Sequence, residues 1–384
     1  MPDKEEPTPD YRELRDSLGS DMDLYNPSLS LFDNVQEAFR TSIILPNEEI
    51  QLPVLSAFAC LPTALLNIAP ILVAMGISGS GKSQIMKALG KLNGITPLGS
   101  SSTFASIRTG LKKISFHDEF EEQPIPNYCL VFDDAKRGFV EDENRFAILR
   151  YGYDRGTARV TICGAQPGSI ITFNTFGPKA FSTTESFLFE AEYSELKRRC
   201  IVIRTKKDPD NPRIEELVPP EECNYSTLRN ALRSHWSRIG NCQDFLDAFK
   251  GTRRSPTMFN TDDWTIFRPV IATLSHLGGV DVDEAKVTVK AFLNLSEDDT
   301  TPLQLILENY LSDYEELVDE KIAQGKEDVS VSLEGKVIKE LICSSFKQGL
   351  IQGQRLQDYK PEMESRGWRL TKNREGKVSW VYGV

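Results

Sequence analysis

Gly76-Ile77-Ser78-Gly79-Ser80-Gly81-Lys82-Ser83 satisfies G-x-x-x-x-G-K-[ST] at every fixed position. Gly76, Gly79 and Gly81 allow backbone N–H groups to converge on an anion, and the helix that follows turns its positive dipole end towards it. Lys82 would reach the β- and γ-phosphates of a nucleotide, and the Ser83 hydroxyl would hold Mg²⁺. Ser78, Ser80 and Gln84 complete the expected phosphate-binding set, with ATP and Mg²⁺ as the implied ligands. Some fifty residues on, the apolar run Asn127-Tyr128-Cys129-Leu130-Val131-Phe132 ends in Asp133-Asp134. Two carboxylates at a strand end, at that distance from a phosphate loop, divide naturally between two tasks. Asp133 completes the Mg²⁺ shell and Asp134 orients the attacking water.

Such groups need a rigid frame. Ala69–Met75 reads as a short buried strand into the loop, and Gln84–Gly90 as the start of the helix behind it. Gly99–Phe104 reads as a capping turn before a helix over Ala105–Leu111, and Glu141–Arg150 as a charged helix. Ala158–Cys163 and Ser169–Phe176 flank Gly164-Ala165-Gln166-Pro167-Gly168 in the pattern of a β-hairpin. Phe176–Glu185 is a further strand with a polar end, and Leu196–Ile203 places Arg198-Arg199 directly before another.

In that order these segments resemble the hexameric AAA+-like helicases of superfamily 3. They are similar, more closely, to the ATPase modules of phage and mobile-element primase–helicases. Val131-Phe132-Asp133-Asp134-Ala135-Lys136 resembles the family's Walker B segment and Pro178–Glu185 its motif C. The resemblance spans roughly residues 50–300. It implies a P-loop α/β parallel-sheet core and a homo-oligomer, as a hexameric ring, working on single-stranded or duplex DNA. It also implies two site residues. Thr184 stands where the family has a sensor asparagine, and a hydroxyl can still bond water or a phosphate oxygen. Arg199 stands at the arginine-finger position, with Arg198 the adjacent alternative. The hairpin tip Gly164–Gly168 carries no Lys, Arg or His, unlike the basic DNA-gripping tips of the viral superfamily-3 helicases that the Walker B segment resembles.

The remaining chain divides by composition. Residues 1–30, rich in Pro, Asp, Glu and Ser, are expected to form a mobile leader. Residues 31–68 form an N-terminal helical region, with helices over Phe32–Ile44 and Leu55–Ile68. Residues 69–205 are the ATPase core. Residues 206–300 follow as a charged, Pro-rich connector (206–220) and three helices that suit a lid: Tyr225–Lys250, Trp264–Gly278 and Glu284–Leu295. Arg268 is either a lid sensor arginine or a salt-bridged surface residue. Residues 301–384 resemble a winged helix: helices over Leu303–Gln324, Leu333–Gln348 and Gln357–Ser365, then a hairpin turning at Asn373–Gly376. From Val331 onward ten Lys/Arg stand against six Asp/Glu, a local basic bias in a chain of net charge −11. That wing can hold nucleic acid, dock a protein, or pack Trp368 and Trp380 into a small core.

The run from Gln51 to Gly81 is uncharged, but Pro53, Pro62 and Pro70 interrupt it, so buried elements rather than a membrane span are expected. Seven scattered cysteines without C-x-x-C read as free thiols of a reducing, cytoplasmic compartment. Two functions remain: ATP-driven translocation on or unwinding of DNA, and an ATP-switched assembly factor that unwinds nothing. A small-molecule kinase would need neither the hairpin nor an arginine finger.

Overall fold

The computed structural model of the chain describes residues 22–99, 102–103, 107, 129–163, 170–184, 188 and 193–298. Beyond these it describes 307, 310–311, 314, 330–334, 338–339, 359–360, 363–364, 368–372 and 378–383. The capping turn and helix expected over 99–111, the hairpin tip and the wing turn lie largely or wholly outside the described residues.

In chain order come β1 (Met22–Asp23), α1 (Leu31–Arg40), α2 (Glu48–Ala59), β2 (Ile71–Met75), α3 (Lys82–Asn93), β3 (Leu98–Gly99) and β4 (Leu130–Asp133). Next are α4 (Arg137–Glu141), α5 (Glu143–Tyr151), β5 (Arg159–Cys163), β6 (Ile170–Asn174), β7 (Lys179–Thr183), α6 (Ser194–Lys197) and β8 (Cys200–Arg204). Then β9 (Cys223–Asn224) precedes α7 (Ser226–Trp236), α8 (Ile239–Gly251), α9 (Thr261–Gly278) and α10 (Val282–Asp298). The chain closes with β10 (Ser330–Glu334), β11 (Arg369–Lys372) and β12 (Val378–Gly383).

The central sheet is parallel throughout, in the order β3-β4-β7-β2-β8. β2 is apolar along its whole length because both faces are covered. Alternation sends Leu72 and Ala74 to one core, with the apolar sides of α1, α2, α3 and α7–α10. Ile71, Val73 and Met75 face a second core with Phe132, Phe139, Ile148 and Leu196. The strand begins at Ile71 rather than Ala69, since Pro70 has no N–H to give a ladder. β7 lies between β2 and β4, and the parallel register brings the ends of β2, β4, β7 and β8 to one edge of the sheet. That edge is where open α/β sheets place ligands.

Several elements differ from expectation. Met22–Asp23 pairs with Cys223–Asn224 and Ser30 caps α1, so the end of the expected leader belongs to the hydrogen-bonded fold. The second helix runs Glu48–Ala59, well before Leu55–Ile68. It starts early because Gln51 both donates to the Arg204 carbonyl (3.1 Å) and accepts from the Arg204 N–H (2.8 Å), docking α2 on the edge strand β8. The helices expected as a lid pack on α2, α3 and one another, in the core beneath the sheet. Arg268 has neither expected role: its guanidinium donates to the Phe249 carbonyl (2.7 and 3.2 Å) and lies over the Phe249 ring, tying α9 to α8. Leu333 lies in β10 rather than a helix, paired with Trp380 of β12 and buried beneath the sheet. Trp368 and Trp380 fill that small core, so neither indole face is free to stack on a base.

The antiparallel pair β5–β6 is rooted by cations on backbone carbonyls. Buried Lys179 donates to the carbonyls of Gly152, Thr175 and Gly177 (2.9, 2.9 and 2.8 Å), although burial pushes its pKa down to about 7. Arg155 donates to the Leu66, Thr63 and Ala64 carbonyls and stacks on Phe176. A Cβ on Gly152 would fall 2.4 Å from the Lys179 Nζ, so only glycine admits this root.

Candidate nucleotide site

The loop after β2 is shaped by what surrounds it. A Cβ on Gly76 would meet the Thr205 carbonyl at 2.3 Å, and Gly81 has φ +88°, so both positions need glycine. The Ser80 hydroxyl is turned inward, donating to the Ile77 carbonyl (2.8 Å) and lying 2.6 Å from the Thr205 hydroxyl. Ser80, expected among the phosphate ligands, therefore has its side chain engaged as a strut of the loop. Lys82, 8% exposed, donates to the same Ile77 carbonyl. Burial lowers its pKa to about 8, against the opposing pull of Asp134 and Asp133.

The carboxylates are held by β7. Asp133 Oδ1 accepts from Ser83 Oγ (3.0 Å) and from Ser182 Oγ (2.7 Å). The Ser182 oxygen in turn accepts from the Asp134 backbone N–H (2.7 Å). Asp134 has φ +55°, a left-handed conformation that Asp tolerates better than most residues and that breaks the strand direction after Asp133. Its carboxylate is over half exposed and reaches Lys136 at 3.8 Å. Ser182 was missed from sequence. The polar run Ser182-Thr183-Thr184 marks a strand end, but only the insertion of β7 beside β4 puts its second-last position against Asp133.

These groups open onto one cavity of about 770 Å³, a size that suits a small-molecule ligand. Ser78, Gly79, Ser80, Gly81, Lys82, Ser83 and Gln84 all line it, as do Asp134, Ser182 and Thr184. The Gln84 Oε1 is buried with no hydrogen-bond partner. No lining residue comes from helices α7–α10; the wall a lid would supply is formed by Lys206–Pro219 and by Ser42–Ile44. The segment read from composition as a connector is thus part of the site.

The two arginines before β8 are treated differently. Arg199 donates to the Arg150 carbonyl and lies 4.0 Å over the Tyr153 ring, an arrangement made wholly within its own chain. Arg198 is 58% exposed at its side chain and meets Asp262 at 3.4 Å. Neither lines the cavity.

If the division of labour between the carboxylates is right, Asp134→Asn should keep nucleotide affinity within about threefold while hydrolysis falls ~10²–10³-fold. Asp133→Asn should weaken Mg²⁺-dependent binding as well. Equilibrium binding and steady-state turnover with each variant check this, and normal turnover by Asp134→Asn would reverse the assignment.

No protein-family model matches the chain, and no curated protein matches it in sequence. Among solved structures, one described as "SCCmec type IV Cch - active helicase" is similar at 14% identity and a TM-score of 0.41, over 94% of this chain and 72% of that one. No helix among the described residues is long and apolar enough to cross a membrane.

Proposed function

We propose that this chain is an ATP hydrolase of the P-loop type that couples turnover to translocation on or unwinding of DNA. The observation that carries the reading is the hydrogen-bonded set Ser83–Asp133–Ser182–Asp134, of which Ser83, Ser182 and Asp134 line the same cavity as the phosphate loop. Ser83 Oγ and Asp133 Oδ1 are hard oxygen ligands close together, which fits Mg²⁺; that ion takes one or two protein oxygens plus phosphate and water. When bound, it would neutralise charge on the phosphoryl oxygens. Lys82 binds the β- and γ-phosphates, Asp134 orients the attacking water, and the Thr184 hydroxyl takes a hydrogen bond from that water or gives one to a γ-phosphate oxygen.

The reading includes a shared site in a homo-oligomeric ring, to which an arginine before β8 would contribute. In this reading Arg198, exposed and held only by a long ion pair, reaches the neighbour, and Arg199 anchors its own chain. The order β10-β12-β11 with a β11–β12 hairpin supports a winged-helix-like end, whose basic bias favours DNA phosphates.

The second reading, an ATP-switched assembly factor, is favoured by the β5–β6 hairpin. Ile170, the first residue of β6, is 72% exposed, so an apolar side chain stands beside the tip where a DNA-gripping hairpin would carry cations. ATP turnover with and without single-stranded DNA, alongside displacement of an annealed strand, separates the two. ATP-dependent strand displacement supports the motor. Turnover indifferent to DNA, with oligomers that grow on adding ATP, selects the switch.

A further inference from the structure

The segment after β8 carries an arrangement that the phosphate-loop chemistry does not use. It runs from Thr205, which is bonded to the Met75 carbonyl at the root of the loop, across the cavity to Pro219. At its start, Lys206 and Lys207 line the cavity. The Cδ and Cε atoms of Lys207 pass 3.8–3.9 Å from where a Gly79 Cβ would stand, above the apex of the phosphate loop. Further along, Ile214, Leu217 and Pro219 form an apolar wall together with Ile43 and Ile44 of the α1–α2 turn. Lys207 and Ile214 both line the cavity, with turns closed by Asn211 N–H to the Asp208 carbonyl and Ile214 N–H to the Asn211 carbonyl between them, so one stretch of chain offers it a cationic end and an apolar end.

The segment is also fastened. Arg213 donates to Glu48 (2.8 Å) and to the Arg40 carbonyl (2.9 Å), and Arg40 donates to the same Glu48 carboxylate (2.8 Å). Burial would raise the Glu48 pKa, but these two guanidiniums hold it below its usual value. The Val218 N–H donates to the Thr41 carbonyl (2.8 Å), and Glu221 pairs with Lys87 of α3 (2.6 Å). A polar, Pro-rich stretch tied down at Arg213 and Val218, with Thr205 and Glu221 anchored at its two ends, is a wall beside the phosphate loop and not a mobile linker.

We propose that residues 206–219 are a nucleotide-gripping strap. Lys207, with Lys206, contacts the phosphate chain of a nucleoside triphosphate from above the loop, and Ile214 and Leu217 pack its base. The inference rests on the P-loop reading and adds to it a second cationic contact in the same chain and an apolar base slot.

Two ligands separate the ends of the strap: a fluorescent ATP analogue, and inorganic tripolyphosphate competing with it. Lys207→Met should weaken both ligands about 10-fold, because its cation acts on phosphates. Ile214→Ser should weaken the ATP analogue about 5–10-fold and leave tripolyphosphate unchanged, because its contact is with the base. Both side chains lie at the surface of the strap, and thermal melting within a few degrees of wild type verifies each fold. Lys82→Ala reports on the P-loop separately. If wild type binds in a Lys82-dependent way while Lys207→Met and Ile214→Ser bind as wild type does, the strap is overturned and the P-loop reading stands. If wild type binds neither ligand, both fall. Equal weakening of both ligands by Ile214→Ser would overturn the base slot.

Discussion

Lys82→Ala should reduce ATP hydrolysis by about 10³-fold or more while leaving the melting temperature close to wild type. Lys82 is 8% exposed within the loop, and among the described residues Asp134 and Asp133 are the charges that favour its protonated form. Its ammonium donates to the Ile77 carbonyl, which also accepts from Ser80, so removing Lys82 does not orphan that acceptor. In the proposed reaction its value would lie in the transition state, where charge develops on phosphoryl oxygens and a cation already held in place needs no reorganisation. Turnover per mole of protein, with ATP binding and a thermal melt measured on the same sample, checks the expectation. Wild-type turnover in the variant would remove the P-loop assignment, and a collapse of the melt would show instead that Lys82 is structural.

The second large effect concerns Arg198, and it distinguishes a shared site from a self-contained one. An arginine supplied across a subunit boundary stabilises transition-state charge by ~10³–10⁵ in rate. Arg198→Ala alone should therefore be nearly inactive yet bind ATP normally. Mixed with Lys82→Ala, it should recover part of the activity, because some subunit pairs then combine an intact loop with an intact arginine. Arg199→Ala should behave differently. It removes a cation–π contact with Tyr153 and the donor to the Arg150 carbonyl, at about 1–2 kcal/mol of stability, and it should not complement Lys82→Ala. The contrary outcome, rescue by Arg199→Ala and full activity in Arg198→Ala, would return the trans role to Arg199 and require its side chain to leave Tyr153 on assembly. Full activity of wild type as a verified monomer would exclude a shared site altogether.

Both expectations begin from residues that are legible in the sequence, and the reason is locality. The phosphate loop needs glycines, a lysine and a hydroxyl within eight consecutive residues, flanked by a strand and a helix start, and all of that is contiguous. The apolar run into Asp133-Asp134 and the uninterrupted apolar strand β2 are equally local, because a parallel strand buried on both faces has no polar positions to disguise it. Strand order is not local. Ser182 meets the Asp134 N–H across 48 residues because β7 lies beside β4, and Thr205 meets Ser80 across 125 because β8 flanks β2. Arg198 and Arg199 are neighbours of identical type, and tertiary contacts distinguish them: Tyr153 and the Arg150 carbonyl for Arg199, Asp262 for Arg198. Arg268 is bound by a carbonyl and an aromatic face, partners with no sequence signature. The strap is the clearest case. Lys206–Pro219 has the charge and proline content of a linker, and its composition was correctly polar. What makes it a wall of the cavity beside the glycine-rich loop is Arg213 meeting Glu48 across 165 residues, a contact that burial and pairing create and that no spacing rule anticipates.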